Sequence, residues 1–255
     1  MGVHPSYFES FNDTARYCPA YSHPDHAKLL PAAELGTAIA ALGITRDTCV
    51  IVYGAGRIVP MTAARVAWAL MYAGVREVRI LDGGFTAWVA GGNPVADDLS
   101  PPLPSAGFGA AVPARPDYLA TADDVAAVVE GKNPRGLLVD VRSREEYDGT
   151  NTNTYPFFSK AGHIPGAVWM GDWTGLVNGA EDTFAPLPAL KERWTALGIE
   201  PGREIIFYCG TGWRSAIAFW LARLMGYPAV KNYDGGFFDW SWNAARPVST
   251  LLRRG

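Results

Sequence analysis

The segment Leu81-Asp82-Gly83-Gly84-Phe85-Thr86-Ala87-Trp88 returns later in the chain as Tyr233-Asp234-Gly235-Gly236-Phe237-Phe238-Asp239-Trp240. Upstream of each copy the likeness continues. Ala41-Leu42-Gly43-Ile44 matches Ala196-Leu197-Gly198-Ile199, and Val50-Ile51-Val52-Tyr53 matches Ile205-Ile206-Phe207-Tyr208. Blocks that recur in one order, about 155 residues apart, mark a duplicated unit. The chain is therefore two homologous halves, and its 255 residues suit two domains of about 100–200 residues each.

Within each half, short apolar runs alternate with helical patterns. Leu137–Val141, Glu204–Tyr208 and Ala229–Tyr233 read as buried strands. Thr121–Glu130, Leu187–Leu197 and Ser215–Met225 read as helices, the last apolar nearly all round and stopped by Gly226. In the first half Val50–Tyr53 is a strand and Met61–Ala73 a helix. Strands alternating with helices predict an α/β fold, here two three-layer α/β/α domains with mostly parallel sheets. The Pro-, Gly-, Ala- and Ser-rich stretch 93–116 is the linker and divides the chain into domains 1–111 and 112–255. Gly2-Val3-His4-Pro5-Ser6 aligns loosely with Gly162-His163-Ile164-Pro165-Gly166, with no counterpart of 137–148 before it. The first domain is thus expected to lack its opening strand–helix unit and to expose a sheet edge, for a partner chain or a dimer to cover.

Composition removes several function classes. With 49% hydrophobic and 18% charged residues the chain is not disordered. A net charge of −3 and no Lys/Arg run argue against a nucleic-acid partner. No apolar run approaches the ~18 residues of a membrane span, so no membrane partner is expected. The start has no basic, apolar signal pattern, which predicts a cytoplasmic location. Cys18, Cys49 and Cys209 form no Cys-x-x-Cys, so neither a disulfide framework nor a metal site is expected.

One loop carries chemistry. Tyr208-Cys209-Gly210-Thr211-Gly212-Trp213-Arg214-Ser215 joins a predicted strand to a predicted helix. Ligands of open α/β sheets bind at the carboxyl ends of strands. The two glycines let the backbone curl with its N–H groups inward, as an anion-binding nest beside a helix N-terminus. A cysteine there is expected to have a lowered pKa and to act as a nucleophile, with Arg214 adding a fixed positive charge. Such parts suit a sulfur carried as a persulfide. A cysteine phosphatase needs five residues between Cys and Arg to wrap a phosphate, and here there are four. Cys49, in Thr48-Cys49-Val50-Ile51, reads as a small buried hydrophobe. Cys18 lies in a polar loop and receives no role.

Taken together, Val139-Asp140-Val141-Arg142 with Glu145, Gly162-His163-Ile164-Pro165-Gly166-Ala167, the Cys209 loop and Asp234-Gly235-Gly236 with Trp240 resemble the rhodanese (sulfurtransferase) family, in its tandem-domain form. The resemblance implies two rhodanese-like domains and a ping-pong reaction. Cys209 would take a sulfane sulfur from a small donor such as thiosulfate, and pass it to a small thiophilic acceptor. No separate cofactor is implied, because the carrier is the persulfide on Cys209. The N–H groups of Gly210, Thr211, Gly212, Trp213 and Arg214 would stabilise that persulfide, and Arg214 would hold the donor's anionic tail. The loop Cys-Gly-Thr-Gly-Trp-Arg differs from that of mercaptopyruvate enzymes. It is also similar to rhodaneses that move polysulfide sulfur to hercynine. A third reading is a persulfide relay to a partner protein.

Trp213 is expected as a pocket wall, with Tyr208 and Tyr155 contacting substrate. Asp140 and Arg142 are expected to form a structural pair that Glu145 joins, and His163 to be a turn residue. The two Asp-Gly-Gly turns read as helix caps. In the first half Gly54 stands where Cys209 stands in the second, so that half is expected to be non-catalytic, with Arg57 reaching the cleft to attract an anionic donor.

Overall fold

The computed structural model describes residues 8, 27–54, 59–96, 102–150, 159–179 and 182–251. In the first half these form α1 (Ala32–Ala41), β1 (Cys49–Val52), α2 (Val59–Ala73), β2 (Glu77–Ile80) and α3 (Gly84–Ala90). The second half opens with β3 (Leu119–Ala120), α4 (Ala122–Val129), β4 (Gly136–Asp140), α5 (Arg144–Asp148) and β5 (Val168–Trp169). A small antiparallel pair follows, β6 (Val177–Asn178) with β7 (Thr183–Phe184). The half closes with α6 (Leu187–Ala196), β8 (Glu204–Tyr208), α7 (Trp213–Leu224), β9 (Val230–Tyr233) and α8 (Gly236–Trp242).

The second half holds a five-stranded sheet in the order β3-β9-β8-β4-β5, every pairing parallel. Its central strand β8 is Glu-Ile-Ile-Phe-Tyr, and side-chain alternation sends its residues to two cores. Ile205, Phe207 and the following Cys209 join the core shared with the first half; Ile206 and Tyr208 join a second core with Leu138, Phe237 and Trp240. Burial on both faces is what a parallel sheet under helices requires. Helix α4 starts at a capping box, in which Thr121 and Asp124 satisfy each other's backbone N–H groups. Between the halves, α2 packs along α7, with Ala64, Trp68 and Leu70 in one core with Ala216, Phe219 and Leu221. Trp68 also donates its indole N–H to the Tyr118 carbonyl at 3.0 Å.

The first half repeats only part of this plan. β1 and β2 pair in parallel from Cys49↔Glu77 to Val52↔Ile80, as β8 and β9 do, but no strand like β4 and no helix like α4 is found among its described residues. The consequence is visible in burial. Ile51 and Tyr53 are 57% and 55% exposed, whereas their counterparts Ile206 and Tyr208 are fully buried. Phe85 and Trp88 on α3 are likewise exposed, against buried Phe237 and Trp240 on α8. The same cause corrects the expectation for Cys49, which is exposed. It shares the uncovered face of β1, so apolar neighbours in sequence do not bury it. Ile206→Ala should therefore cost about 2–5 kcal/mol, a cavity cost, while Ile51→Ala stays within about 0.5 kcal/mol; denaturant titration of the pair checks this. No helix among the described residues is long and apolar enough to cross a membrane.

Candidate active site

β8 ends at Tyr208 and α7 begins at Trp213, so Cys209–Gly212 turns at the carboxyl end of the central strand. Gly212 adopts φ +81°, a left-handed conformation that suits glycine and starts α7. Three carbonyls of this turn are held by neighbours. Cys209 O accepts from Phe237 N at 2.7 Å, and Gly210 O from Phe238 N at 2.9 Å. Gly212 O accepts from Asn232 Nδ2 at 2.9 Å and, at longer range, from Arg65 Nη1 at 3.5 Å. The N–H groups of Gly210, Thr211 and Gly212 donate to no acceptor among the described residues. With those three carbonyls anchored elsewhere, these donors and the α7 N-terminus remain for an anionic sulfur.

The Asp-Gly-Gly turn makes this possible. Gly235 caps α8 in a left-handed conformation, in keeping with the sequence expectation. Gly236, at φ +55°, has a second role: a Cβ there would lie 2.5 Å from Cys209 O and 2.8 Å from Gly210 O. Only a residue without a side chain lets α8 approach the loop so closely. The first half repeats the contact, Phe85 N donating to Gly54 O at 2.8 Å. Gly54 thus occupies the place of Cys209 in structure as in sequence, without a thiol.

Cys209 is fully buried, with Sγ 3.6 Å from Ser215 Oγ. Ser215 in turn donates to Asn232 Oδ1 at 2.6 Å, and Asn232 reaches back to Gly212 O. Sequence reasoning misses both Ser215 and Asn232 as site residues. The available signal is a lone Asn inside the otherwise strand-like Val230–Tyr233.

Several sequence expectations are corrected. Arg214, expected to hold a donor's anionic tail, is buried and grips Glu146 with both terminal nitrogens, at 2.8 and 2.9 Å. It therefore anchors the start of α7. Glu145, expected to join the Asp140–Arg142 pair, is exposed, and the buried carboxylate whose charge reaches Arg142 is Glu146. Glu146 is the third residue of α5 and forms its capping box with Ser143, and this turns it inward. Tyr208, expected beside substrate, is sent by strand alternation to the face opposite Cys209. There its hydroxyl accepts from Ile164 N at 3.3 Å. Burial, and then the nearby Asp140 charge, push the Tyr208 phenol well above its ordinary pKa.

Asp140 and Arg142 do pair, through Nε at 3.0 Å and Nη2 at 2.6 Å, and Arg142 also donates to Gly162 O. Burial works against the Arg142 charge, but Asp140 more than offsets it and holds the guanidinium protonated. His163 stacks on Tyr147 with ring centres 3.8 Å apart, and its Nδ1 lies 2.8 Å from Tyr147 O. Thr211 is buried in the loop and Trp213 is half-buried at the head of α7. Arg57, Tyr155 and Cys18 lie outside the described residues.

The Glu146–Arg214 pair has a pH signature. Burial raises the Glu146 pKa, but the Arg214 hydrogen bonds and charge, with help from Arg142, hold it below the ordinary value of 4.5. A carboxyl depressed on folding stabilises the protein above its unfolded pKa, and the contribution is lost as pH falls through the folded value. Wild-type stability should therefore fall as pH drops below 4.5, and Glu146→Gln should flatten that acid limb. Thermal melts across this range read the difference.

The rhodanese-like domain family matches residues 13–91 and 121–242. YnjE of Escherichia coli, a thiosulfate sulfurtransferase, is 35% identical over 223 residues, which cover 85% of this chain and 50% of that protein. The sulfur carrier protein TtuD of Thermus thermophilus is also 35% identical, over 85% of this chain and 76% of its own length. Among solved structures, a variant of EanB in complex with ergothioneine has a TM-score of 0.85 at 30% identity, covering 99% of this chain and 59% of that one. The anaerobic ergothioneine biosynthesis enzyme of Chlorobium limicola, bound to trimethyl histidine, matches at the same TM-score and 31% identity, over 98% of this chain and 59% of its own. The chain thus spans half to three-fifths of YnjE and of these two structures. With a duplicated α/β fold, and a cysteine loop after the central strand of the second copy alone, the chain belongs to the rhodanese family as a tandem of two rhodanese-like domains.

Proposed function

We propose that this chain is a sulfurtransferase of the thiosulfate type, with Cys209 as the sulfur carrier. The observation that carries the reading is the Cys209 loop, in which the Cys209, Gly210 and Gly212 carbonyls are held by neighbours while the N–H groups of Gly210, Thr211 and Gly212 donate to no acceptor among the described residues. The Cys209 thiolate attacks the outer, sulfane sulfur of thiosulfate. A new S–S bond forms on Sγ, the donor S–S bond breaks, and sulfite leaves with the electron pair. A thiophilic acceptor such as cyanide then attacks the outer sulfur of the persulfide, and the electron pair of that S–S bond returns to Sγ. The loop donors stabilise the anionic outer sulfur between the two half-reactions, which is the electrostatic part of the catalysis. The first half, with Gly54 in place of the thiol, carries no sulfur.

A second reading is favoured by the likeness to EanB structures solved with hercynine and with ergothioneine. Here the donor is polysulfide and the acceptor a small molecule such as a betaine of histidine. One experiment tests both. The protein is treated with thiosulfate or polysulfide and its mass is measured, then the loaded protein is offered cyanide, small thiols or hercynine. Gain of one sulfur on Cys209 and discharge to cyanide support the thiosulfate reading. Discharge to hercynine alone supports the second, and no gain with either donor overturns both. Discharge only to a partner protein would make the chain a relay.

A further inference from the structure

The first half has Gly54 where the second has Cys209, yet it sends the Arg65 side chain to the Cys209 loop. Arg65 of α2 is 1% exposed. Its Nη2 donates to Asp234 Oδ1 at 2.7 Å and to Ala27 O at 3.0 Å, and its Nη1 makes the 3.5 Å contact with Gly212 O. A Cβ on Gly212 would stand only 3.2 Å from that nitrogen. Asp234 Oδ2 is occupied by Leu29 N at 2.9 Å, so the carboxylate is tied to the first half through both oxygens.

We propose that Arg65 is a positioning residue for sulfur transfer at Cys209, so that the half with Gly54 at the loop position works as part of the catalytic centre. This rests on the sulfurtransferase reading above. Arg65 acts on the loop from two sides. Directly, it meets the Gly212 carbonyl. Through Asp234 it fixes the first residue of the turn whose next members, Phe237 and Phe238, hold the Cys209 and Gly210 carbonyls. The held carbonyls of Cys209, Gly210 and Gly212 thus all connect to one guanidinium. A buried charge is costly unless its partners are specific. When the repeats are aligned on Trp68 and Trp220, the position of Arg65 in α2 is taken by buried Ile217 in α7. An apolar residue therefore suffices at this helix seam, and the charge is explained by what it touches. Arginine fits the task because its planar fork presents several donors at fixed angles, which a lysine cannot.

The experiment compares wild type, Arg65→Met and Arg65→Lys in steady-state transfer and in single-turnover loading of Cys209 read by mass. For Arg65→Met, kcat and the loading rate should fall about 10- to 100-fold, since small misplacements of reacting groups cost rates of this order. KM for thiosulfate should stay within about threefold, because a loop-positioning defect is made in the transition state and not in donor binding. Arg65→Lys should recover part of the rate. A folded Arg65→Met variant with wild-type kcat and loading rate overturns the proposal. So does a loss confined to KM, which would make Arg65 a donor-binding residue. If Arg65→Met does not fold, Arg65→Met combined with Asp234→Asn removes both charges and is judged by the same rates. The modification rate of Cys209 by methyl methanethiosulfonate needs no sulfane donor. If wild type loads from no donor, the sulfurtransferase reading fails. The positioning proposal is then decided separately, supported by slower modification in Arg65→Met and overturned by an unchanged rate.

Discussion

Cys209→Ser should keep the fold and lose sulfur transfer altogether, with kcat/KM down by at least about 10⁴-fold, the scale seen when a nucleophile is removed. A serine oxygen in this place can hydrogen-bond the nearby Ser215 hydroxyl, so the stability change should be within about 1 kcal/mol. Mass measurement after thiosulfate or polysulfide should find no added sulfur. The corresponding Cys49→Ser variant should load normally, because Cys49 lies on the uncovered face of β1 and belongs to the half whose loop position is Gly54. Retained loading in Cys209→Ser would move the carrier role to another residue and overturn Cys209 as the sulfur carrier.

Gly236→Ala should be the most damaging substitution outside the cysteine itself. Its φ of +55° disfavours any L side chain, and the new Cβ would press on the Cys209 and Gly210 carbonyls at 2.5 and 2.8 Å. Both atoms are backbone, so neither can swing aside as a flexible side chain would. Relief requires α8 to withdraw or the loop to shift, and either breaks the hydrogen bonds from Phe237 and Phe238. Loading of Cys209 should slow by about 100-fold, as expected for reacting groups displaced by a fraction of a bond length or more. Gly84→Ala is the matched control. Gly84 has φ +56° and precedes the equivalent Phe85–Gly54 contact in the first half. That variant should lose stability to the same backbone strain while the Cys209 loading rate of the folded fraction is preserved. Equal loss of loading in both variants would mean that Gly236 acts only through general stability.

Much of the fold and of the site is legible in local signals. The duplication is carried by repeated blocks, and β4, β8, β9, α6 and α7 by apolar runs with glycine stops. Cys209 stands out because a cysteine between a strand and a helix, flanked by glycines, sits where ligands of such sheets bind. Two of the corrected expectations also have a local signal. Side-chain alternation puts Tyr208 and Cys209 on opposite faces of β8, and the capping box with Ser143 singles out Glu146 over Glu145.

Other features have no such signal. The burial of Ile206 and the exposure of Ile51 arise at matching positions of the repeat, and differ because α4 and β4 cover one and not the other. Arg214 belongs to Glu146, 68 residues earlier in the chain. Arg65 reaches Asp234 across 169 residues, and Asn232 reaches Gly212 only because β9 lies beside β8. The sequence by itself determined the duplicated α/β plan and singled out Cys209 as the candidate nucleophile, since periodicity, turn chemistry and residue type are properties of short stretches. The tertiary structure alone decided which charged groups are free to meet a substrate and which are spent on each other. Burial makes an unpaired charge too costly to keep, and the partner that neutralises it is chosen by packing between distant segments.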